Sequence, residues 1–314
     1  MKLLKLVIFV LFLFPILAEA KPEIPETVTF GVYPMSIYEL DQFNNSFGIS
    51  FYAWWRTKDK NYKPDTSIEI VNARTYTHKF GGTGKTANGD YYTFVHYYAK
   101  IHYDWNLKYF PFGHQYLQVR LEDFEDTDHI VFDPDFKDSR LHSEFELPGW
   151  KILNMSVKKS TTTYDTNFGN ADAPKGLFDR ITMTIEIKRE GMRVFISYFI
   201  GFFMAGFLAH ILYLMNTFPF PARATIFAGG IFSFIGNKYT IDQKLPLTTD
   251  FTLADSIQAA TFIVLFLSIC ISILTEQLNI PPQQKHKLSY TIGIISFICY
   301  ISYIVVNTYI AVIS

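Results

Sequence analysis

Cysteine is almost missing from this chain. Its 314 residues hold two, Cys270 and Cys299, both inside apolar runs. The polar half before Arg193 has none, so no disulfide staples it and a packed core has to hold it together. An excess of one charge is missing too. Twenty-eight Lys and Arg against 29 Asp and Glu leave a net charge of −1, which excludes a whole-chain pull toward nucleic acid. There is no nucleophile elbow, no HExxH and no phosphate loop. His210 and Ser197 share one apolar run without a third partner. The chain therefore reads as a non-enzyme, with no cofactor and no metal expected. Internal repeats and low-complexity tracts are also absent.

What is abundant is apolar sequence, unevenly placed. The opening "MKLLKLVIFVLFLFPILAEA" has two lysines, an apolar core and Ala18-Glu19-Ala20. It reads as a secretory signal peptide over residues 1–20; the alternative is an anchoring helix. From 21 to 190 the pattern is that of strands. "SFGISFYAWWR", "YYTFVHYYAKIHYDW", "QYLQVRLEDF", "WKILNMSVKK" and "DRITMTIEIKR" alternate with a period of two. "GGTGKTANGD", "DPDFKDSR" and "TNFGNADAPKG" punctuate them as turns. An all-β, immunoglobulin-like antiparallel sandwich is predicted.

From 191 to 314 the pattern predicts a four-helix transmembrane domain, with spans near 193–216, 222–241, 257–275 and 288–313. The second is the uncertain member, because "FPFPARATIFAGGIFSFIG" carries an arginine and three glycines. Lys285 and Lys287 mark the connection before the last span as cytoplasmic. With the sandwich outside, an odd number of crossings must precede them, so the second segment must cross. The C-terminus then returns to the sandwich side.

On a helix, Ala222, Thr225, Gly229, Phe232, Gly236 and Tyr239 share one face. That face is small or polar apart from its rings, and offers lipid little. Either another helix packs closely against it, or it lines a water-filled path. Arg223 beside it, repeated around a symmetric oligomer, would make a charged ring. Phe232 would make an apolar constriction.

Five motifs occur in order across the mature chain: "WWRTKDKNYKPDTSIEIVNA", "NLKYFPFGHQYLQVRLED", "MTIEIKRE" running into the first span, "PAR" at Pro221–Arg223, and "DQKLPLTTDFTLADSIQAATF". Together they resemble the pentameric ligand-gated ion channels, the Cys-loop receptor superfamily, in the prokaryotic form that lacks the loop cysteines. Gly113 stands where the family has an acidic coupling residue, and the first span lacks the family's proline.

The resemblance implies a homopentamer with four further identical subunits, in a cell membrane, with the N-terminal domain extracellular or periplasmic. It implies a small-molecule agonist of unknown identity, permeant inorganic ions, and no nucleic acid. By position, Trp55 belongs to the complementary side of the ligand site. Asn72 to Tyr76 and Asp135 to Arg140, with Phe136, belong to the principal side. Tyr164 and Phe168 lie on a capping loop, Lys159 to Asp172, whose aromatics suit an amine. Gating passes through Asp41 in the loop 38–45, through Pro111, Phe112 and Gly113, and through Arg189, Leu245 and Pro246. Arg223, with no acid near it, leans the pore toward anions. A cation-selective or proton-gated member, with His114 as the sensor of interest, stays open, as does a non-conducting ligand-sensing receptor. His96 and His102 lack a visible third metal ligand, and the acids of "EDFEDTDH" do not follow EF-hand spacing.

Overall fold

The computed structural model describes residues 24–169, 176–189, 191–215, 217–246 and 250–313. The signal peptide and residues 170–172 of the capping loop lie outside these. Nine strands come first: β1 (Glu26–Asp41), β2 (Ser46–Thr57), β3 (Ile68–Ile70), β4 (Ala73–Lys85), β5 (Tyr91–His102), β6 (His114–Asp123), β7 (Ile130–Pro134), β8 (Trp150–Thr163) and β9 (Leu177–Arg189). They form a five-stranded sheet, β4-β5-β2-β1-β7, and a four-stranded sheet, β3-β6-β9-β8.

Alternation explains the core between them. Leu117, Val119 and Leu121 of β6 and Ile181, Met183, Ile185 and Ile187 of β9 point inward and are buried. Opposite them the rings of Phe30 and Trp55 stack at 5.2 Å and those of Phe51 and Tyr97 at 5.3 Å.

Two expectations need correction. The sandwich is not wholly antiparallel: the chain leaves β6 for the other sheet and β7 enters beside β1 in parallel, Glu26 opposite Ile130. The expected turn at Gly81–Asp90 is shorter, because β4 continues through Gly81, Gly82 and Gly84 to Lys85. A Cβ on Gly81 would run into the cross-strand ring of Phe94, so the glycine lets that ring lie over the sheet.

Four long helices follow: α1 (Met192–Leu214), α2 (Phe220–Asp242), α3 (Leu253–Gln277) and α4 (Pro282–Ile313). A capping box starts α3, with Thr252 and Asp255 each bonding the other's backbone N–H. Pro282 sits in the first turn of α4, six residues before the expected start of that span, where its missing N–H costs no helical bond. Three helices, α1, α3 and α4, are long and apolar enough to cross a membrane.

α2 packs against α1 through polar contacts. Asn237 is 8 % exposed; it accepts from the Gly201 N–H at 2.8 Å and donates to the Tyr198 carbonyl at 2.9 Å, while Ser233 donates to the Gly201 carbonyl at 2.9 Å. A Cβ on Gly201 would fall 2.6 Å from that of Asn237, so glycine here makes the close approach possible.

Candidate functional site

Three places hold the residues singled out above. The first is the junction between sandwich and helices. The segment between β5 and β6 has no cysteine to close it, and Gln115 does so instead. Its Nε2 donates to the Asn106 carbonyl at 2.7 Å and its Oε1 accepts from the Asn106 N–H at 3.1 Å. The tip then lays two aromatics against α1. The Phe110 ring lies 5.2 Å from that of Tyr198, and the Phe112 ring 5.4 Å from that of Phe195. The bond from Phe110 to Pro111 is cis, and Gly113 sits at a φ of +100°. The Leu253 N–H donates to the Lys108 carbonyl at 2.8 Å, tying the same loop to the start of α3.

Asp41 holds the neighbouring β1–β2 loop. It accepts from the side chain and the backbone of Asn44, which keep its carboxyl below the usual range. Its carbonyl accepts from the Trp105 indole at 3.1 Å. Phe43 from that loop and Leu245 and Pro246 from the α2–α3 connection line one pocket of about 550 Å³ with Thr252. The Arg189 guanidinium lies 4.3 Å above the Trp150 ring, and neighbouring Lys188 donates to the Val312 carbonyl of α4 at 3.1 Å. Of the expected interface residues, Phe112 packs on α1, Leu245 and Pro246 share a pocket with the loop that Asp41 braces, and Arg189 lies on Trp150. Sequence reading missed Phe110, Gln115, Phe195 and Tyr198. The aromatic "YFPF" facing the aromatics of "VFISYF" was the available signal.

The second place is α2. Thr225, Gly229, Phe232, Gly236 and Tyr239 form an exposed stripe, with Phe232 75 % exposed and Ala222 half-buried at its start. The opposite face, with Gly230, Phe234, Asn237 and Ile241, is buried against the other helices. Arg223 overturns the expectation made for it. It is 2 % exposed and points into the bundle, where it donates to the Ser272 hydroxyl and carbonyl and pairs with Glu276. One residue past Ala222, it falls on the buried face, and an arginine there needs a carboxylate.

The third place is the aromatics of the sandwich, which divide into two groups. Trp55 is not on the surface: at 1 % exposure it is core, because pairing opposite Phe30 turns it inward. Its neighbour Trp54 takes the outer face and donates to Asp135 at 3.2 Å, beside the Arg56–Asp135 pair at 2.8 Å. Phe136, 67 % exposed, follows directly, on a turn that Asp135 bonds to β2.

The second group gathers at the β8–β9 hairpin. Tyr164 meets the rings of Phe168 and Phe178, each at 5.6 Å, and donates to Glu122 at 2.6 Å; Glu122 also pairs with Arg180. Burial and then Glu122 push the Tyr164 hydroxyl's pKa up, so it stays a donor. Asn72 serves the fold: it donates to the Gln118 carbonyl and accepts from the Arg120 N–H. Tyr76 is exposed, its ring 6.2 Å from that of Tyr97.

Among the described residues no cluster of three or more His, Cys, Asp or Glu is arranged to hold a metal. His96 instead is bonded by the hydroxyls of Ser50 at 2.8 Å and Tyr98 at 3.2 Å. His114 lies 2.8 Å from Glu186.

No protein-family model and no curated protein matches the chain. Any functional reading therefore stands on the geometry and on the five motifs.

Proposed function

We propose that the chain is one subunit of a pentameric ligand-gated ion channel, with an immunoglobulin-like extracellular sandwich and four membrane-crossing helices. The observation that carries the reading is α2. It lies against α1 through Asn237 and Ser233, yet leaves the stripe Thr225–Gly229–Phe232–Gly236–Tyr239 uncovered in the single subunit. Lipid gains little from glycine and threonine, whereas a shared aqueous axis suits them. On this reading five copies close around the stripe, and Phe232 forms the apolar constriction. α2 crosses because α1, its polar partner along the bonded stretch, crosses.

The junction supports a coupling role. Two sandwich loops reach the helices: the β5–β6 loop touches the starts of α1 and α3, and the β1–β2 loop touches the α2–α3 connection. An agonist that prefers one arrangement of the sandwiches would shift the helices through them. The Tyr164–Phe168–Phe178 cluster is our candidate for the agonist's aromatic wall, with Trp54 in place of Trp55 on the facing subunit. Arg223 is compensated by Glu276 within the subunit, so the proposal no longer rests an anion preference on it.

The test is current through Phe232→Ala channels in asymmetric salt, with the oligomer mass measured in parallel. A pentameric mass and a current reversing at the potential of one permeant ion are expected. A well-expressed monomer without current would sink the reading and leave the non-conducting receptor.

A further inference from the structure

Alternation leaves the outer face of the four-stranded sheet polar. Leu117, Val119 and Leu121 of β6 and Ile181, Met183 and Ile185 of β9 enter the core, so the positions between them point out. Across that face Arg120 stands level with Thr182 and Lys158, and Gln118 with Thr184 and Ser156. One row nearer the helices come Tyr116, Glu186 and Asn154. The three rows line a groove of about 600 Å³.

The charge of this groove is unbalanced. Four cations line it, Arg120, Lys158, Lys159 and Arg180, against the one carboxylate of Glu186. Ion pairs account for two of the cations and for the acid: Lys159 with Asp179 at 2.7 Å, Arg180 with Glu122, and Glu186 with His114 at 2.8 Å. Arg120 and Lys158 are left. Among the described residues neither has an acid partner, and the Arg120 guanidinium donates to the Gln118 carboxamide at 2.9 Å. Both are exposed, on opposite flanks of Thr182. Two like charges with no acid between them favour an anion above that threonine.

The rest of the groove suits a longer molecule. Its floor offers the hydroxyls of Thr182, Thr184 and Ser156 and the carboxamides of Gln118 and Asn154, groups that both donate and accept. Tyr116 closes one end, 50 % exposed, with a ring face free for stacking. It lies four residues along β6 from Arg120, a span of about 13 Å. A lone carboxylate or phosphate would use the cations and leave that length unmet.

We propose that this groove binds an acidic saccharide, a short chain of hexose units carrying a carboxylate. Arg120 and Lys158 would hold the carboxylate, the hydroxyl and carboxamide floor the ring hydroxyls, and Tyr116 the apolar face of a sugar ring. The site is separate from the aromatic cluster at Tyr164, which it approaches only where Arg180 reaches Glu122.

The test is isothermal titration calorimetry on the full-length protein in a polyoxyethylene detergent, which has no sugar headgroup to compete. Trigalacturonate, maltotriose and citrate are compared at matched ionic strength. Saturable binding of trigalacturonate, at least about tenfold tighter than of either other compound, is expected, since only it offers both a charge for Arg120 and Lys158 and a chain for the floor. Arg120→Gln with Lys158→Gln should weaken it about tenfold or more, and Tyr116→Ala should weaken it severalfold. All three side chains are exposed, so the melting temperature should hold and separate lost binding from lost folding. Citrate binding as tightly would make the groove a general anion site and overturn the proposal. So would maltotriose binding as tightly, no saturable binding of trigalacturonate, or unchanged affinity in the double variant. The readout is binding to the sandwich, so a chain that proves non-conducting leaves this result interpretable.

Discussion

The two halves of the molecule place their polar groups oppositely. In the sandwich, Trp55, Phe30, Phe51 and the inward residues of β6 and β9 are buried, while Lys79, Arg120 and Lys158 face out. In the helices, Phe262, Ile263, Phe266 and Ile301 face out, while Arg223, Asn237, Ser268 and Ser272 are buried. Three of those buried polar groups reach across the bundle: Asn237 to α1, Arg223 through its Nη atoms to α3, and Thr261 to Tyr300 at 2.9 Å. The first half is ordered for water and the second for an apolar surround, where an unmet polar group is costly. α2 departs from both patterns, since it buries Arg223 and Asn237 beside Phe234 and Ile241, and leaves Thr225, Gly229 and Gly236 exposed beside Phe232 and Tyr239.

The largest effect that tests this contrast is in the sandwich core. Trp55→Ala should lower stability by about 3–5 kcal/mol, the cost of emptying a large buried ring's site, whereas Phe136→Ala should leave it within about 0.5 kcal/mol. Thermal unfolding of both variants decides it. Equal effects would return Trp55 to the surface.

Next comes the close α1–α2 contact. Gly201→Leu forces bulk into the space held by Asn237 and should cost about 1–3 kcal/mol. Asn237→Ala alone should cost nearer about 1 kcal/mol, because bonds between helices in lipid are individually modest. Unfolding in detergent at increasing denaturant ranks the two, and the reverse order would mean that hydrogen bonding outweighs packing there.

The smallest effect is one of pH. Burial, and then Lys79, hold the pKa of His96 below its ordinary value. A histidine whose folded pKa is lowered is stabilising in full above its unfolded pKa. That stability is lost as pH falls from about 6.5 through the folded value. The melting temperature should therefore drop on acidification, and His96→Gln should flatten that drop. An unchanged slope would remove His96 as its source.

Much of this was readable in advance. The alternation of β2, β5, β6, β8 and β9 gave their strands, and three- and four-residue spacing found the exposed stripe of α2. The rest depended on partners remote in sequence. Trp54 and Trp55 are adjacent aromatics, and only the pairing of Trp55 with Phe30 decides which is buried. Arg223 points inward because Glu276 lies on another helix, 53 residues away. The glycines near 81 look like a turn until Phe94 is seen lying across them.

The most direct measurement is cysteine accessibility along α2, in a Cys270→Ser, Cys299→Ser background, using a charged, membrane-impermeant thiol reagent. We predict modification at Gly229→Cys, Phe232→Cys and Gly236→Cys, and protection at Phe234→Cys. Uniform protection, or labelling without that periodicity, would contradict an aqueous path along this face.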